Sequence, residues 1–376
     1  MGPFGSNIKA ENFTHEGVPV IRGKNLNSSR FVDGKFVYLT EDKADQLKSS
    51  NCYPGDIVIT HRGTLGQVCL IPFSKYKRYV ISQSGMKVTP NPKLLSSEFL
   101  LYFFKSRIGR HELLQNESQV GVPSISNPLT SLKSVVLNLP PIEEQKSIAI
   151  ILSSLDDKID LLHRQNKTLE AMAETLFRQW FVENEAEGCP ITELVEFNPV
   201  RKLSKGSIAP YLEMAALSTR TFNPNNWYDR VFSSGTKFIN GDTLLARITP
   251  CLENGKTAYV TFLEDDQVAW GSTEYIVIRP HNNLHPFFGY VLARNQVFRE
   301  YAEGCMAGSS GRQRVDINHL KKFDIGIVSS DVINQFNEMA ETVVPKLHAN
   351  MMQIKTLENL RDSLLPKLMS GEVRLR

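Results

Sequence analysis

The sequence predicts two similar mixed α/β (α+β) domains and two long helices that pair as an antiparallel coiled coil with pseudo-twofold symmetry. The first observation is an internal repeat, because the string KTLE at residues 167–170 returns at residues 355–358, 188 residues further along a chain of 376. The second is that short β-branched and aromatic runs, separated by Gly, Pro and Asn, open both halves. The third is a heptad pattern of apolar residues that closes both halves.

The repeat extends well beyond one string. GDIVITHRGTLG from Gly55 corresponds to GDTLLARITPCLENG from Gly241, and SQSGMKVTP from Ser82 corresponds to GSTEYIVIRP from Gly271. The separations stay close to half the chain length, as duplicated halves with short loop insertions would give. Two copies are too few for a solenoid, so the duplication predicts a pseudo-dimer with two similar surfaces. Such a molecule suits a target in two parts.

Length and composition fit two domains of this kind. A chain of 376 residues is too long for one ordinary domain, and 41% hydrophobic residues suffice for two packed cores. The net charge of +3 is only weakly basic and does not by itself indicate nucleic acid. No apolar run approaches the roughly 18 residues of a membrane span, and the 5 cysteines show no CxxC spacing. We therefore expect a cytoplasmic, reducing setting, with no membrane, disulfide framework or zinc site.

Four segments are predicted to follow one another along the chain. The first domain covers residues 1–141 and the second covers residues 189–330, with helical stretches near SSEFLLYFFKSR and HPFFGYVLARNQ. Long helices are predicted at residues 142–188 and 331–376. The double proline before the first helix and the double serine before the second end the domains, since proline restricts the residue before it and serine caps helices.

Apolar residues in the first long helix recur at alternating steps of four and three, which places them at the a and d positions of about five heptads. At 1.5 Å per residue this seam is about 50 Å long. Adding 188 to each number gives a second seam that is mostly apolar too. The first seam consists of Ile148, Leu152, Leu155, Ile159, Leu162, Asn166, Leu169, Ala173, Leu176 and Trp180, and the second of Phe336, Ala340, Val343, Leu347, Asn350, Ile354, Leu357, Arg361, Leu364 and Leu368.

Two residues disturb the second seam. Arg361 interrupts its apolar pattern, and Pro345 is expected to kink or locally break the helix. A lone amphipathic helix could pack on its own domain. Two helices of this length that leave their domains at equivalent places are instead predicted to pair with each other.

The repeat also predicts the register of the helix pair. With the dyad near residue 164, antiparallel pairing brings Asn166 opposite Asn350 and Trp180 opposite Phe336. A buried amide pair satisfies its own hydrogen bonds and penalises slipped registers. The alternative is that the two asparagines are only polar breaks in a loosely packed seam. A separation above about 8 Å between the two side chains contradicts the predicted register.

Catalytic and cofactor motifs are incomplete. The string GKT at residues 255–257 resembles the end of a phosphate-binding loop, but Pro250 stands where that loop requires glycine. His281 and His285 have the spacing of zinc ligands, but they lie between prolines and lack the glutamate of an HExxH helix. The sequence therefore predicts a chain that is not an enzyme and has no catalytic residues, metal or cofactor of its own.

Three segments of the chain resemble a known family. LNLPPIEEQKSIAIILSSLDDKIDLLHRQNKTLEAMAETLFRQWFVE looks like the central conserved region of type I restriction-modification specificity subunits, and GPFGSNIKAENFTHEGVPVIRGKNL and GSTEYIVIRP resemble stretches of their target recognition domains. The resemblance covers essentially the whole chain, in the order recognition domain, conserved helix, recognition domain, conserved helix. Fewer residues precede Val18 than lie between Gly188 and Ile208. This difference leaves open that the first domain lacks its first strand or helix, through truncation or a misassigned start.

The resemblance implies a DNA-binding specificity subunit without catalysis. Each target recognition domain would read one half of a split double-stranded DNA sequence, and the paired helices would hold the halves at a fixed distance. The helices would also dock two modification (methyltransferase) subunits, which carry S-adenosylmethionine, and restriction subunits would complete a nuclease that needs ATP and Mg. Two alternatives stay open, namely a coiled-coil scaffold that binds proteins only and a specificity chain of another methyltransferase-nuclease system.

Loop residues at matching places in the repeat are the candidates for DNA contacts. Reading of base edges favours Arg on guanine, Asn or Gln on adenine, and Asp or Glu on cytosine, while Arg22 and Lys24 are candidates for holding phosphate. The alternative for each is an exposed polar side chain, or for Glu274 a structural hydrogen bond. The candidates for base contacts are His61, Arg62, Gln83, Gln119, Arg247, Thr273, Glu274, Arg312, Gln313 and Arg314.

Overall fold

The computed structural model divides the chain into two compact units. Unit 1 comprises Met1–Asp160 and Lys355–Arg376, and unit 2 comprises Leu161–Ile354. The division runs through both long helices, so that each unit contains one α/β domain and a segment of each helix. The structure describes residues 1–3, 7–26, 30–73, 75–118, 121–183, 187–219, 221–281, 283–309, 313–326 and 329–374.

The strands of unit 1 form two sheets and a hairpin. They are β1 (Val18–Ile21), β2 (Val37–Leu39), β3 (Asn51–Cys52), β4 (Ile57–Thr60), β5 (Val68–Leu70), β6 (Tyr79–Ile81), β7 (Gly85–Val88), β8 (Glu117–Ser118) and β9 (Ser124–Ile125). The first sheet has the order β2-β1-β6-β3, in which β1 and β6 are parallel. The second sheet has the antiparallel order β5-β4-β7, and β8 pairs with β9.

The first three helices of unit 1 begin at hydroxyl residues that cap them. The helices of this unit are α1 (Glu41–Gln46), α2 (Ser97–Lys105), α3 (Arg107–Leu114) and α4 (Pro128–Lys133), followed by the first long helix α5 (Ile142–Phe177). The hydroxyl of Ser96 accepts a hydrogen bond from the backbone N–H of Phe99, and Ser106 does the same for Gly109. Helix α2 lies in the predicted SSEFLLYFFKSR stretch and buries most of its apolar side chains.

Unit 2 repeats this arrangement with additional strands. Its strands are β10 (Gly188–Pro190), β11 (Val195–Phe197), β12 (Ile208–Leu212), β13 (Tyr228–Val231), β14 (Thr236–Phe238), β15 (Thr243–Ala246), β16 (Thr257–Tyr259), β17 (Ala269–Gly271), β18 (Tyr275–Pro280), β19 (Met306–Ala307), β20 (Arg314–Val315) and β21 (Asp324–Gly326). Its helices are α6 (Phe287–Arg294), α7 (Gln296–Gly304) and α8 (Ile317–Leu320), followed by the second long helix α9 (Ser330–Ser370).

The sheet topology confirms the internal duplication. The order β13-β12-β17-β14, with β12 and β17 parallel, reproduces the first sheet of unit 1. The order β11-β18-β15-β16 reproduces the second sheet with one strand added at an edge. The added strand is β11, which pairs with β18. The strand of unit 1 that corresponds to β18 is β7, and among the described residues it pairs with β4 alone. The extra strand lies in the stretch between Gly188 and Ile208 that the first half does not match.

The long helices pair inside each unit, and the predicted seams point inward. All twenty seam residues are buried or half-buried. In unit 1, Ile148 and Leu152 pack in one cluster with Leu368. In unit 2, a ring contact joins Phe181 to Phe336 with centroids 5.7 Å apart. Because Phe181 lies in the turn that continues α5 and Phe336 lies near the start of α9, the two segments are antiparallel.

The end of the first seam is shifted by one residue from the prediction. Phe177 and Phe181 are fully buried, whereas Leu176 and Trp180 are half-buried. A π-helical turn follows at Arg178–Val182, and its i→i+5 hydrogen bonds widen the helix and change its phase from there on. The ring that stacks on Phe177 and contacts Phe336 is therefore Phe181, while Trp180 packs at the margin of the same cluster.

Of the kink or local break predicted at Pro345, the break is wrong, because α9 continues as one helix from Ser330 to Ser370. Proline removes the hydrogen bond to the carbonyl four residues earlier, which belongs to Glu341. Both Pro345 and Glu341 are exposed, so water can satisfy the freed carbonyl. Within the described part of the chain, no helix is both long and apolar enough to cross a bilayer.

Candidate nucleic-acid interface

In unit 1, the candidate residues gather where three backbone segments meet. These segments are the end of β4 at His61, the turn before β7 at Ser84, and β9. The backbone N–H of His61 donates to the carbonyl of Ser84 at 2.9 Å, and the N–H of Ile125 donates to the carbonyl of His61 at 2.9 Å. Arg62 forms a β-bridge with Ser124. We call this arrangement the backbone frame of unit 1.

Unit 2 builds the same frame from equivalent residues. The backbone N–H of Arg247 donates to the carbonyl of Glu274 at 3.0 Å, and the N–H of Val315 donates to the carbonyl of Arg247 at 2.9 Å. Ile248 forms a β-bridge with Arg314. The three segments are again the end of β15, the turn before β18, and β20.

The two frames share their backbone but differ in side chains. His61, Ser84 and Ser124 of unit 1 occupy the positions that Arg247, Glu274 and Arg314 occupy in unit 2. A common backbone with different polar groups is what two readers of different sequences require, since base edges are distinguished by hydrogen-bond donors and acceptors.

In the first frame, His61 is less available than its residue type suggests. It is 8% exposed, and its Nε2 lies 3.1 Å from the carbonyl oxygen of Gln83. Burial lowers its pKa below the ordinary value, which favours the neutral ring at pH 7. Arg62 and the side chain of Gln83 are exposed and remain the accessible candidates. Gln119 lies outside the described residues.

In the second frame, Glu274 and Arg314 bind each other. Nε of Arg314 donates to both carboxylate oxygens of Glu274 at 2.9 Å, and Nη2 donates to Oε1 at 2.7 Å. The interpretation of Glu274 as a residue with a structural hydrogen bond therefore holds. Nη2 of Arg247 donates to the carbonyl of Val315 at 3.1 Å. Thr273 is exposed.

Gln313 and Arg312 complete the predicted candidates of unit 2. The carbonyl of Gln313 accepts a hydrogen bond from the backbone N–H of Thr249 at 3.2 Å, which ties the hairpin end to the loop after β15. Arg312 lies outside the described residues. A surface cavity of about 560 Å³ lies beside Arg314, and Arg247, Asp316 and Asn318 are among its other lining residues.

Arg22 and Lys24 follow β1 in a short helical turn beside the first frame. The carbonyl of Ile21 accepts from the N–H of Ser82 at 2.9 Å, which places Arg22 next to the turn before β7. Asn25 is buried and its Oδ1 accepts from the N–H of Arg22 at 3.0 Å. Lys24 is exposed, so its ammonium group is free to approach a phosphate.

Sequence reasoning missed Ser84 and Ser124, which occupy the frame positions of Glu274 and Arg314. The signal was available in the repeat, because the hairpin ending at Ser124-Ile125 matches the hairpin ending at Arg314-Val315. Their small hydroxyl side chains did not resemble the residue types that usually read base edges.

The histidines with zinc-ligand spacing have structural partners. Nε2 of His281 lies 3.0 Å from the carbonyl oxygen of Thr192, and Nδ1 of His285 accepts from the N–H of Phe287 at 3.1 Å. In the part of the chain that the structure describes, His, Cys, Asp and Glu side chains form no cluster suited to a metal ion.

The predicted contact on the helix seam is present in unit 2. The amide Nδ2 of Asn350 donates to Oδ1 of Asn166 at 2.7 Å, well inside the 8 Å limit set by the predicted register. Asn350 is 1% exposed, so the bond satisfies a buried amide that would otherwise be costly.

Comparisons with known proteins agree on one family. The family described as "Type I restriction modification DNA specificity domain" matches residues 5–171. The type I restriction enzyme MjaIX specificity subunit of Methanocaldococcus jannaschii is 25% identical over 364 residues, which cover 89% of this chain and 81% of that one. The HindI specificity subunit of Haemophilus influenzae is 22% identical over 448 residues, covering 93% and 94% of the two chains.

A solved structure has the same fold over nearly the whole chain. The crystal structure of the type I restriction-modification S subunit from M. genitalium aligns with a TM-score of 0.54 and 16% sequence identity. The alignment covers 96% of this chain and 91% of that one.

Proposed function

The chain belongs to the specificity subunits of type I restriction-modification systems, and on this premise we propose that it reads a bipartite double-stranded DNA target with one recognition domain on each half-site. The family match confirms the prediction that the chain is a specificity component and not the enzyme itself. It also disfavours the alternative of a scaffold that binds proteins only.

The observation that carries the proposal is the duplicated backbone frame. In both units the same three hydrogen-bonded segments present polar side chains, and those side chains differ between the units at every equivalent position. An identical pair of readers would favour a symmetric target, so different readers indicate an asymmetric one. The exposed Arg62 and Gln83 in unit 1 and the exposed Thr273 and Arg314 in unit 2 are the side chains we assign to base contacts.

The paired helices have a different role in this proposal. We assign to them the setting of the half-site separation, and their antiparallel pairing in unit 2 and the Asn166–Asn350 hydrogen bond support this assignment. We assign to the same helices the docking of two modification subunits, with restriction subunits joining the complex. S-adenosylmethionine, ATP and Mg belong to those partners, and the assembly acts on DNA in the cytoplasm.

Methylome sequencing tests the proposal directly. A host expressing the chain with its modification subunits should acquire methylated adenines in one motif made of two defined half-sites and an unspecific spacer. A gel-shift with and without the modification subunits should show sequence-selective DNA binding by the complex. A continuous motif, or binding of partner proteins without any DNA selectivity, contradicts the proposal.

A further inference from the structure

The second frame contains a feature that the first frame lacks, which is an arginine clamped by a carboxylate. Nε and Nη2 of Arg314 form three hydrogen bonds of 2.7 to 2.9 Å with Glu274. Arg314 retains 47% of its side-chain exposure, whereas Glu274 retains 22%. The guanidinium group is therefore fixed in direction while it stays open to solvent.

The geometry separates the roles of the two side chains. Arg314 makes three hydrogen bonds to Glu274 and so takes most of the carboxylate's roughly four acceptor sites, which disfavours Glu274 as the reader of a cytosine amino group. Arg314 uses Nε and Nη2 toward Glu274, which leaves the hydrogens of Nη1 and the outer hydrogen of Nη2 on the adjacent, end-on edge of the guanidinium plane. That edge presents two parallel donors, the arrangement that matches O6 and N7 of guanine.

The clamp also reduces the entropic cost of binding. An exposed arginine normally loses much rotamer freedom when it forms a bidentate contact. Because Glu274 already holds the guanidinium group, part of that freedom is lost before DNA arrives, which favours binding by a preorganised group. The neighbouring Arg247 is fixed in the same frame through Val315.

We propose that Arg314, positioned by Glu274, reads a guanine in the half-site recognised by unit 2, and that this reader distinguishes the second half-site from the first. Ser124 and Ser84 stand at the equivalent positions of unit 1, so the first domain has no such clamp at this place. The inference rests on the proposed function, since it names one base contact of the same site.

The test uses the full chain assembled with its modification subunits and a DNA pool in which both half-sites are randomised. After methylation, sequencing reads the preference at each base pair. The wild-type complex should require guanine at one position of one half-site. Arg314→Ala should reduce that preference by about 5-fold to 100-fold, the range expected for one bidentate base contact, and leave the other half-site unchanged.

Glu274→Gln separates a positioning residue from a base contact. Its amide keeps one acceptor oxygen for Arg314, so we expect a smaller loss of preference at the same base pair and no new preference elsewhere. Arg230→Ala is the matched control, because Arg230 is an exposed arginine of unit 2 whose guanidinium lies 4.7 Å from the ring centroid of Tyr211. It should leave the preference for guanine intact.

The reverse experiment introduces the clamp into unit 1. Ser84→Glu combined with Ser124→Arg should introduce a preference for guanine into the half-site read by unit 1. The inference is overturned if Arg314→Ala retains the full motif, or if it weakens methylation of all sequences equally, as loss of a phosphate contact would. If Arg314→Ala does not assemble, an unchanged guanine preference in Glu274→Gln overturns the positioning role. A wild-type complex without any bipartite motif contradicts the proposed function instead.

Discussion

His61 illustrates how burial changes the part a side chain can play at the interface. Burial lowers its pKa below the ordinary 6.5, and its ring contacts the carbonyl of Gln83. A neutral ring in this place contributes to the shape and stability of the first frame. The phosphate attraction that a charged histidine would provide is absent at neutral pH.

The buried ring predicts a pH dependence of stability. Because the pKa of His61 is lower in the folded chain, the unfolded chain takes up the proton first, and stability falls as pH drops below about 6.5. The loss cannot exceed about 1.4 kcal/mol per pH unit for one proton. We expect the stability difference between wild type and His61→Gln to shift against wild type from pH 7 to pH 5. Chemical denaturation of the full chain at several pH values measures this, and parallel curves contradict it.

Replacement of Lys24 should change the salt dependence of DNA binding. Its exposed ammonium group is assigned to phosphate, so Lys24→Ala should weaken binding to all DNA sequences alike and reduce the slope of log K against log salt by about 0.9. Binding titrations of the assembled complex at several salt concentrations measure the slope. Lys9→Ala is the control, since Lys9 is exposed and already lies 3.7 Å from Glu11. An equal change of slope in both variants contradicts the assignment.

At the scale of the elements, the helix pair tolerates polar seam residues because each has a partner. Nη1 of Arg361 donates to Oδ1 of Asp156 at 2.9 Å, and the hydroxyl of Tyr102 donates to Oδ2 of the same carboxylate at 2.8 Å. Arg361, which interrupts the second seam, therefore forms an ion pair with the buried carboxylate of Asp156. The same carboxylate binds Tyr102 and so links the helix pair to α2 of unit 1. Removing one partner alone would leave a buried charge, which is costly.

Replacement of the asparagine pair should affect the thermal stability of the chain and its selectivity for spacer length in different ways. Replacing both partners by leucine removes a buried polar pair without leaving either group unsatisfied, so Asn166→Leu with Asn350→Leu should keep or raise the thermal stability. Because we propose that the helices set the separation of the half-sites, a seam without its register-setting pair should accept neighbouring spacer lengths. Melting curves and methylation of targets with spacers longer or shorter by one base pair measure the two effects.

Asn166→Leu alone is the control for this pair. It leaves the buried amide of Asn350 without its partner and should cost about 1 to 3 kcal/mol. A double variant that is as unstable as the single one, or that keeps strict spacer selectivity, contradicts a register-setting role and favours a simple polar break in the seam.

The shifted seam predicts unequal costs for two neighbouring aromatic residues. Phe181 is fully buried between Phe177, Phe288 and Phe336, so Phe181→Ala should destabilise unit 2 by about 3 to 5 kcal/mol. Trp180 is half-buried, and Trp180→Ala should cost clearly less. Denaturation of the two variants side by side measures the difference. A larger loss for Trp180→Ala contradicts the phase change at the π-helical turn.

The two long helices show which parts of the structure the sequence predicts and which it does not. The heptad pattern predicted helices that begin beside Pro141 and Ser330, because apolar periodicity is repeated over many turns and its signal accumulates. The uninterrupted helix at Pro345 could not be predicted from it, since that depends on whether water reaches the carbonyl of Glu341. The π-helical turn could not be predicted either, since the apolar pattern does not distinguish i→i+4 from i→i+5 hydrogen bonds. The sequence could not decide whether Glu274 contacts a base or makes a structural hydrogen bond. Its partner Arg314 lies forty residues away in the chain, and the two meet only through the sheet.

At the scale of the whole molecule, the duplication implies that the second recognition domain is a self-contained insert. Strand β10 pairs with β21, with Gly188 opposite Gly326 and Cys189 opposite Ile325. Cys189 and Ile325 therefore lie opposite each other near the two ends of the second domain, and a foreign domain can be joined there without changing the long helices. Replacing these residues by the equivalent part of a homologue should change one half of the methylated motif and leave the other half and the spacer unchanged. Methylome sequencing reads the result, and replacement of residues 1–141 is the reciprocal control, which should change the opposite half. If either replacement altered both halves together, the two domains would not read the DNA independently, and the specificity of the chain would be a property of the assembled molecule.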